Sequence, residues 1–112
     1  MMLDWNQYRQ QISAGVKDIS QLNPDTIKGY VALSSAGQHK NLLGPKVREL
    51  IALAVAVTTR CDGCIAVHTE AAVRHGATKD EIAEALGVAV ALNAGAALVY
   101  STRVMDAVAQ SS

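Results

Sequence analysis

The chain has 112 residues, ten basic and ten acidic side chains, and no formal net charge. That length holds one domain, and the interspersed charges form no basic stripe able to follow a phosphate backbone, which argues against nucleic acid as a partner. Half of the residues are apolar, yet Phe is absent and the aromatics are only Trp5, Tyr8, Tyr30 and Tyr100. The apolar content is mostly Ala, Val, Leu and Ile. Small side chains bury little area each, so part of this surface is expected to lie against further copies of the chain in a homo-oligomer.

The N-terminal stretch MMLDWNQYRQQ lacks the basic-then-apolar layout of a signal peptide. The longest uncharged run, Leu86 to Thr102, contains Asn93, Gly87 and Gly95 and falls short of the roughly 18 to 20 clearly apolar residues of a spanning helix. A soluble cytoplasmic protein without membrane attachment is expected. In a reducing cytosol, two closely spaced cysteines are more often redox-active or metal-binding than a structural staple.

Apolar spacing of three and four dominates, and no strand pattern appears. Trp5, Tyr8, Ile12, Val16 and Ile19 recur at helical spacing, predicting an amphipathic first helix over residues 4 to about 20. Asn23 followed by Pro24 caps and opens a second helix carrying Ile27, Tyr30 and Val31, which fades between Ser34 and Gly37. Residues 37–44, GQHKNLLG, read as a loop, and Gly44-Pro45 opens a third helix through Leu50, Leu53 and Val57. That helix is apolar nearly all round, which makes it central in the domain. Thr58 and Thr59 are candidate N-caps of a fourth helix, which His75-Gly76 ends. Thr78-Lys79-Asp80-Glu81 is a capping box for a fifth. Leu92-Asn93-Ala94-Gly95 is expected to break or bend it, a sixth helix runs to about Ala107, and the closing AQSS should fray. The expectation is an all-α domain of about six helices.

The chemistry concentrates between Glu49 and His68. Cys61 and Cys64, the only cysteines, stand four residues ahead of His68, and Glu49 lies twelve residues before Cys61. Positions three and four apart share a helix face, so both thiols and the imidazole stack on one stripe, with His68 leaning back over Cys64. Such cysteines can form an intramolecular disulfide, and a helix N-terminus favours the thiolate. An unbroken helix would hold Glu49 about 18 Å from Cys61; a break near Thr58–Arg60 would instead fold the second helix back beside the first. A carboxylate in that apolar run costs free energy unless paired or protonated, an environment that suits a general base or proton relay.

Glu49, Cys61, Cys64 and His68 match the spacing Glu, eleven residues, Cys-x-x-Cys, three residues, His. The following HGATKDEIAEALGVAVALNAGAALVY has the matching continuation. In these respects the chain resembles the alkylhydroperoxidase D-like branch of the carboxymuconolactone decarboxylase superfamily over about residues 40 to 108. The resemblance implies an all-helical fold assembling into trimers or hexamers. It implies a thiol peroxidase or disulfide reductase with neither metal nor haem, acting on a hydroperoxide and re-reduced by a dithiol donor such as a lipoyl-bearing or thioredoxin-type protein. It makes Cys64 the attacking thiol, Cys61 the resolving one, and His68 with Glu49 the proton relay. Helix-dipole reasoning alone favours Cys61 as nucleophile; adjacency to His68 and the resemblance favour Cys64. The best-studied branch carries a further histidine between the cysteines, where this chain has Asp62-Gly63.

Blander readings stand beside this one. Cys61, Cys64 and His68 could be three ligands of a zinc site, with His39 or Glu49 as the fourth, in a module without catalysis. Glu49 could merely complement a helix dipole. His75 is read as a helix-end residue, His39 as a solvated loop residue, and Trp5, Tyr8 and Tyr30 as core or interface aromatics. A lactone decarboxylase of the same superfamily would not depend on the Cys-x-x-Cys pair.

Overall fold

In the computed structural model of the protein, which describes residues 2–111, the chain forms α1 (Trp5–Leu22), α2 (Pro24–Ser34), α3 (Pro45–Thr59), α4 (Asp62–Arg74) and α5 (Lys79–Ala109). Met1 and Ser112, the last of the residues expected to fray, lie outside the described residues. Among the described residues there is no strand, as the all-α reading requires.

Local chemistry explains most of the helix ends. Asp4 caps α1 by accepting from the Gln7 amide at 3.1 Å. Asn23 closes α1 by donating its backbone N–H to the Ile19 carbonyl, then opens α2 by accepting from the Thr26 amide, with Pro24 at the first helical position. Gly44, at φ +79°, turns the chain into Pro45 and α3. Gly76, at φ +88°, takes the left-handed conformation after α4. Thr78 and Glu81 form both hydrogen bonds of the capping box.

Two expectations are corrected. Thr58 and Thr59 do not cap α4. They lie within α3, where their hydroxyls donate back to the carbonyls of Ala54 and Val55, a bond that hydroxyls in helices readily make. The chain leaves α3 through Arg60, held left-handed at φ +54°, and the cap of α4 is Cys61 itself. Nor does the chain break at Leu92–Gly95. The Asn93 side-chain amide donates to the Ala89 carbonyl at 2.7 Å and to the Thr58 hydroxyl at 2.9 Å. Its polar group is satisfied without leaving the helical ladder, so the expected fifth and sixth helices are one. There are five helices among the described residues rather than about six. Unbroken, α5 is about 46 Å long, and by length and composition it is apolar enough to cross a membrane, contrary to the expectation from its uncharged stretch. The end of the chain continues in helix to Ala109, and Ser111 still bonds back to the Ala107 carbonyl.

Helix α3 is central, packing against α4 on one side and α5 on another, while α1 lies on α4 and α2 on α1. The core is small: Leu53 of α3, Ala72 of α4 and Ala77 of the following connection, with Leu50 and Ile82 packed against them. The protomer is open. Its radius of gyration is 18.4 Å, against about 13 Å for a compact domain of this length. Its accessible surface is 8694 Å², roughly half as much again as the about 5,900 Å² of a folded monomer of this mass.

One ion pair ties the start of α3 to the start of α5. Lys46 Nζ donates to Glu81 Oε2 at 2.8 Å. That bond first, and the one from the Thr78 backbone second, hold the Glu81 carboxyl below its ordinary value. A depressed carboxyl contributes stability that is present above its unfolded value and is lost as pH falls through the folded one. Glu81→Gln should therefore lose less melting temperature than the parent as pH falls from neutrality to below about 4. Because the pair is exposed, the difference will be small. Parallel thermal melts with identical acid-side slopes would show that the pair does not contribute.

Candidate active site

The reversal at Arg60 lays α4 back along α3, and that reversal assembles the site. Glu49, in the second turn of α3, meets His68 in the middle of α4. Glu49 Oε2 and His68 Nδ1 are 2.6 Å apart, although nineteen residues separate them in sequence. Both side chains are mostly shielded, Glu49 retaining 21 % and His68 34 % of its exposure. The carboxylate that looked costly inside an apolar helix is thus paired. With Glu49 accepting at Nδ1, the imidazole is fixed in orientation and its Nε2 is the nitrogen left for other work.

Cys61 and Cys64 form a disulfide, with Cα atoms 5.2 Å apart. Cys61 is not on the helical stripe expected of it. As the extended N-cap residue it replaces the usual Ser, Thr or Asp, its Sγ accepting the Cys64 amide N–H at 3.1 Å. Cys64 and His68 lie within α4, one turn apart. The Cys61 amide is bonded to the Ala56 carbonyl and the Cys61 carbonyl accepts from Ile65, so the turn is held at both ends. Asp62 adds a carboxylate in the first turn, where it complements the dipole. Opening the disulfide would place one sulfur at a helix N-terminus with an amide N–H directed at it, the arrangement that stabilises a thiolate.

Behind the pair, Glu49 also lines a polar cleft of about 290 Å³ with Gln38, Asn41, Arg48 and His75. The carboxylate is therefore bonded to the imidazole and borders an open polar recess. Ahead of the pair, α1 crosses α4. Arg9 donates from Nη1 to the Ala66 carbonyl and pairs through Nε with Glu70, both at 3.1 Å. Ile12 lies directly on Gly63, where a β-carbon on residue 63 would stand 3.1 Å from Ile12 Cδ1.

All four residues singled out in the sequence thus fall on the facing α3–α4 pair: Glu49 with His68, and Cys61 with Cys64. His75 sits at the end of α4, where its backbone N–H meets the Ala71 carbonyl, and it borders the cleft. Trp5 and Tyr8 pack edge to face with ring centroids 6.2 Å apart, whereas Tyr30 is exposed. For zinc the donor set is unsuited: both sulfurs are bonded to each other and Nδ1 of His68 to Glu49, and no three metal-ligating side chains converge among the described residues. Sequence reasoning missed the cap role of Cys61 and the contact between Ile12 and Gly63. The acidic residue directly after Cys61 was the available signal for the first; none marked the second.

Fold and site together define a helical domain built around a Cys-x-x-Cys disulfide at a helix N-terminus, backed by a glutamate–histidine pair. The chain belongs to the carboxymuconolactone decarboxylase family, which its residues 24–107 match, within the superfamily that includes the alkylhydroperoxidase D-like proteins. A protein of Haemophilus influenzae, described as uncharacterized, is 46 % identical over 107 residues, covering 96 % of this chain and 95 % of that one. The protein called uncharacterized protein 4 in the cox locus of Paracoccus denitrificans is 34 % identical over 83 % of this chain and 84 % of its own length. Among solved structures, the apo form of a carboxymuconolactone decarboxylase family protein from Legionella pneumophila superposes with a TM-score of 0.74 at 31 % identity, covering 92 % of each chain.

Proposed function

We propose that the protein is a thiol-dependent peroxidase of the cytoplasm, reducing hydroperoxides through Cys64 and Cys61. The observation that carries this reading is the disulfide at the start of α4 together with the Glu49–His68 pair on the facing helices. In the dithiol form, His68, oriented by Glu49, takes the proton from Cys64. The Cys64 thiolate attacks one peroxide oxygen, the O–O bond breaks, and the leaving alkoxide is protonated to an alcohol, leaving Cys64 as a sulfenic acid. Cys61 then attacks the Cys64 sulfur and expels water, closing the disulfide. One hydroperoxide and two thiols become one alcohol, one water and one disulfide.

A dithiol donor of the lipoyl-protein or thioredoxin type completes the cycle. Its thiolate attacks Cys64, and Cys61 leaves as the thiolate favoured by the Cys64 amide and the helix N-terminus. A second donor thiol then attacks the mixed disulfide and releases the dithiol form. The polar cleft behind Glu49 gives protons a way between the pair and water. A lactone decarboxylase would leave the cysteine pair without a task.

The working form is a homo-oligomer of three or six copies. In the protomer the outer faces of α5 expose Leu92, Leu98, Val99, Val104, Met105 and Val108. Gly87 and Gly95, where close helix packing is easiest, meet nothing within this chain. Between α3 and α5 lies an apolar groove of about 360 Å³, walled by Ile51, Val55, Val88 and Leu92. The surface excess over a compact monomer is of the size that obligate assemblies bury, about 2,000 Å² or more. Another copy, rather than a lipid bilayer, is the occupant that suits small side chains flanked by charged Glu84 and Arg103 and a helix already fixed to α3 through Asn93 and Thr58.

Three outcomes test these readings. Cys64→Ser should abolish peroxide consumption with a dithiol donor, while Cys61→Ser should leave a sulfenic acid on Cys64 that a dimedone probe captures; capture on Cys61 in the Cys64 variant would reverse the assignment. Glu49→Gln should slow turnover by about a hundredfold, the lower range for a proton-transfer group, with the melting temperature little changed; an unaltered rate would leave Glu49 a packing role. Sedimentation in detergent-free buffer should give a multiple of the 11.8 kDa chain mass, reduced by Val88→Glu in the groove. A monomeric parent protein would refute the assembly.

A further inference from the structure

Of the two residues between the cysteines, Asp62 and Gly63, the second is a glycine against which another helix is seated. Gly63 is at ordinary helical φ, so its lack of a side chain is not required by the backbone. It is required by space: a β-carbon there would come within 3.1 Å of Ile12 Cδ1 and 3.7 Å of Ile12 Cγ1. Ile12 is half-buried and fills that volume from α1. One turn earlier on α1, Arg9 fastens the helix to α4 through the Ala66 carbonyl and Glu70, whose other oxygen is held by Arg74. Residues 24–107 carry the family match, and α1 ends at Leu22. The seat on the redox turn is thus made by a helix outside the residues that the family match covers.

We propose that Ile12 is a positioning residue for the Cys61–Cys64 couple, with α1 bracing the outer side of the turn and favouring its closed, disulfide form. The inference rests on the redox reading of the site. Reducing the disulfide takes two electrons from an external dithiol. The S–S bond breaks, each sulfur gains a proton or remains a thiolate, and the donor becomes a disulfide. The freed sulfurs then move from bonding to van der Waals separation, which asks the Cys61–Cys64 turn to relax. Ile12 occupies the space on one side of that turn and Arg9 keeps α1 from moving away. Relaxation is therefore opposed in the dithiol form alone, and the brace shifts the equilibrium toward the disulfide.

The test is equilibration of the purified full chain against graded ratios of reduced and oxidised dithiothreitol, read by thiol alkylation. Ile12→Ala only removes atoms and should move the equilibrium constant toward the dithiol by about threefold or more, the lower range of coupling between touching residues. Gly63→Ala should also move it, because its methyl group meets Ile12. The double variant should return toward the parent value, the new methyl filling the vacated space. Val16→Ala, a change on the same helix at a half-exposed position not placed against the turn, should leave the constant alone. Where Gly63→Ala does not fold, Ile12→Ala against Val16→Ala decides. Equal constants for Ile12→Ala and the parent, or shifts in the double variant that simply add, overturn the proposal. A parent couple that does not titrate reversibly at all refutes instead the redox reading on which it rests.

Discussion

The hydrogen bond between Glu49 and His68 depends on the chain turning back between α3 and α4. The turn is made by Arg60, a residue with a β-carbon in a conformation glycine would adopt more readily. A left-handed non-glycine residue costs about 1 kcal/mol or more, and here it precedes the first cysteine directly. The cost is covered locally by the bonds from the amides of Arg60 and Cys61 to the Ala56 carbonyl. Without that reversal Glu49 would be stranded, charged, in an apolar helix. With it, the carboxylate gains a charge-assisted, part-buried partner, and the imidazole gains one orientation.

The same turn explains why the cysteine pair sits where it does. A helix N-terminus needs an acceptor for its first amides, and in most helices an oxygen provides it. In α4 a sulfur does, so capping and the proposed chemistry share one contact: the Cys64 amide that Cys61 satisfies structurally is the donor that would hold a thiolate there. The consequence for stability is that the start of α4 is weakly capped when that sulfur is engaged elsewhere. Neighbouring contacts at the turn therefore matter more than they would beside a serine cap.

Much of this was legible in the sequence because it is local. Asn23-Pro24, Gly44-Pro45, His75-Gly76 and the Thr78–Glu81 box each act within four residues, and the structure places helix ends at every one. The spacing of Glu49 to His68 was legible through the likeness to a known family. The features that sequence reading misplaced are those decided between helices. Asn93 looks like a helix breaker until its amide is seen to reach Thr58 on α3 as well as Ala89 on its own helix. Thr58 and Thr59 look like caps until the left-handed Arg60 moves the start of α4 past them. The expectation of exposed apolar surface came from composition alone, and the open shape of the protomer has the same origin. A core whose fully buried residues are Leu53 and alanines cannot draw five helices into a ball.

That weak core bears on how much a single peripheral helix can do. In a tightly packed domain, a peripheral helix such as α1 would alter the active site little, since rigid neighbours would already fix every turn. Here α4 packs on α3 on one side and on α1 on another, with few fully buried side chains to resist adjustment. The Arg9 anchor and the Ile12 seat are therefore a large share of what holds the outer side of the cysteine turn. The matched core supplies the sulfurs, the imidazole and the carboxylate, while the helix before it bears on Gly63, one of the two residues between the sulfurs. A glycine at position 63 serves the second arrangement: it leaves room for the Ile12 side chain of α1 to lie directly against the turn.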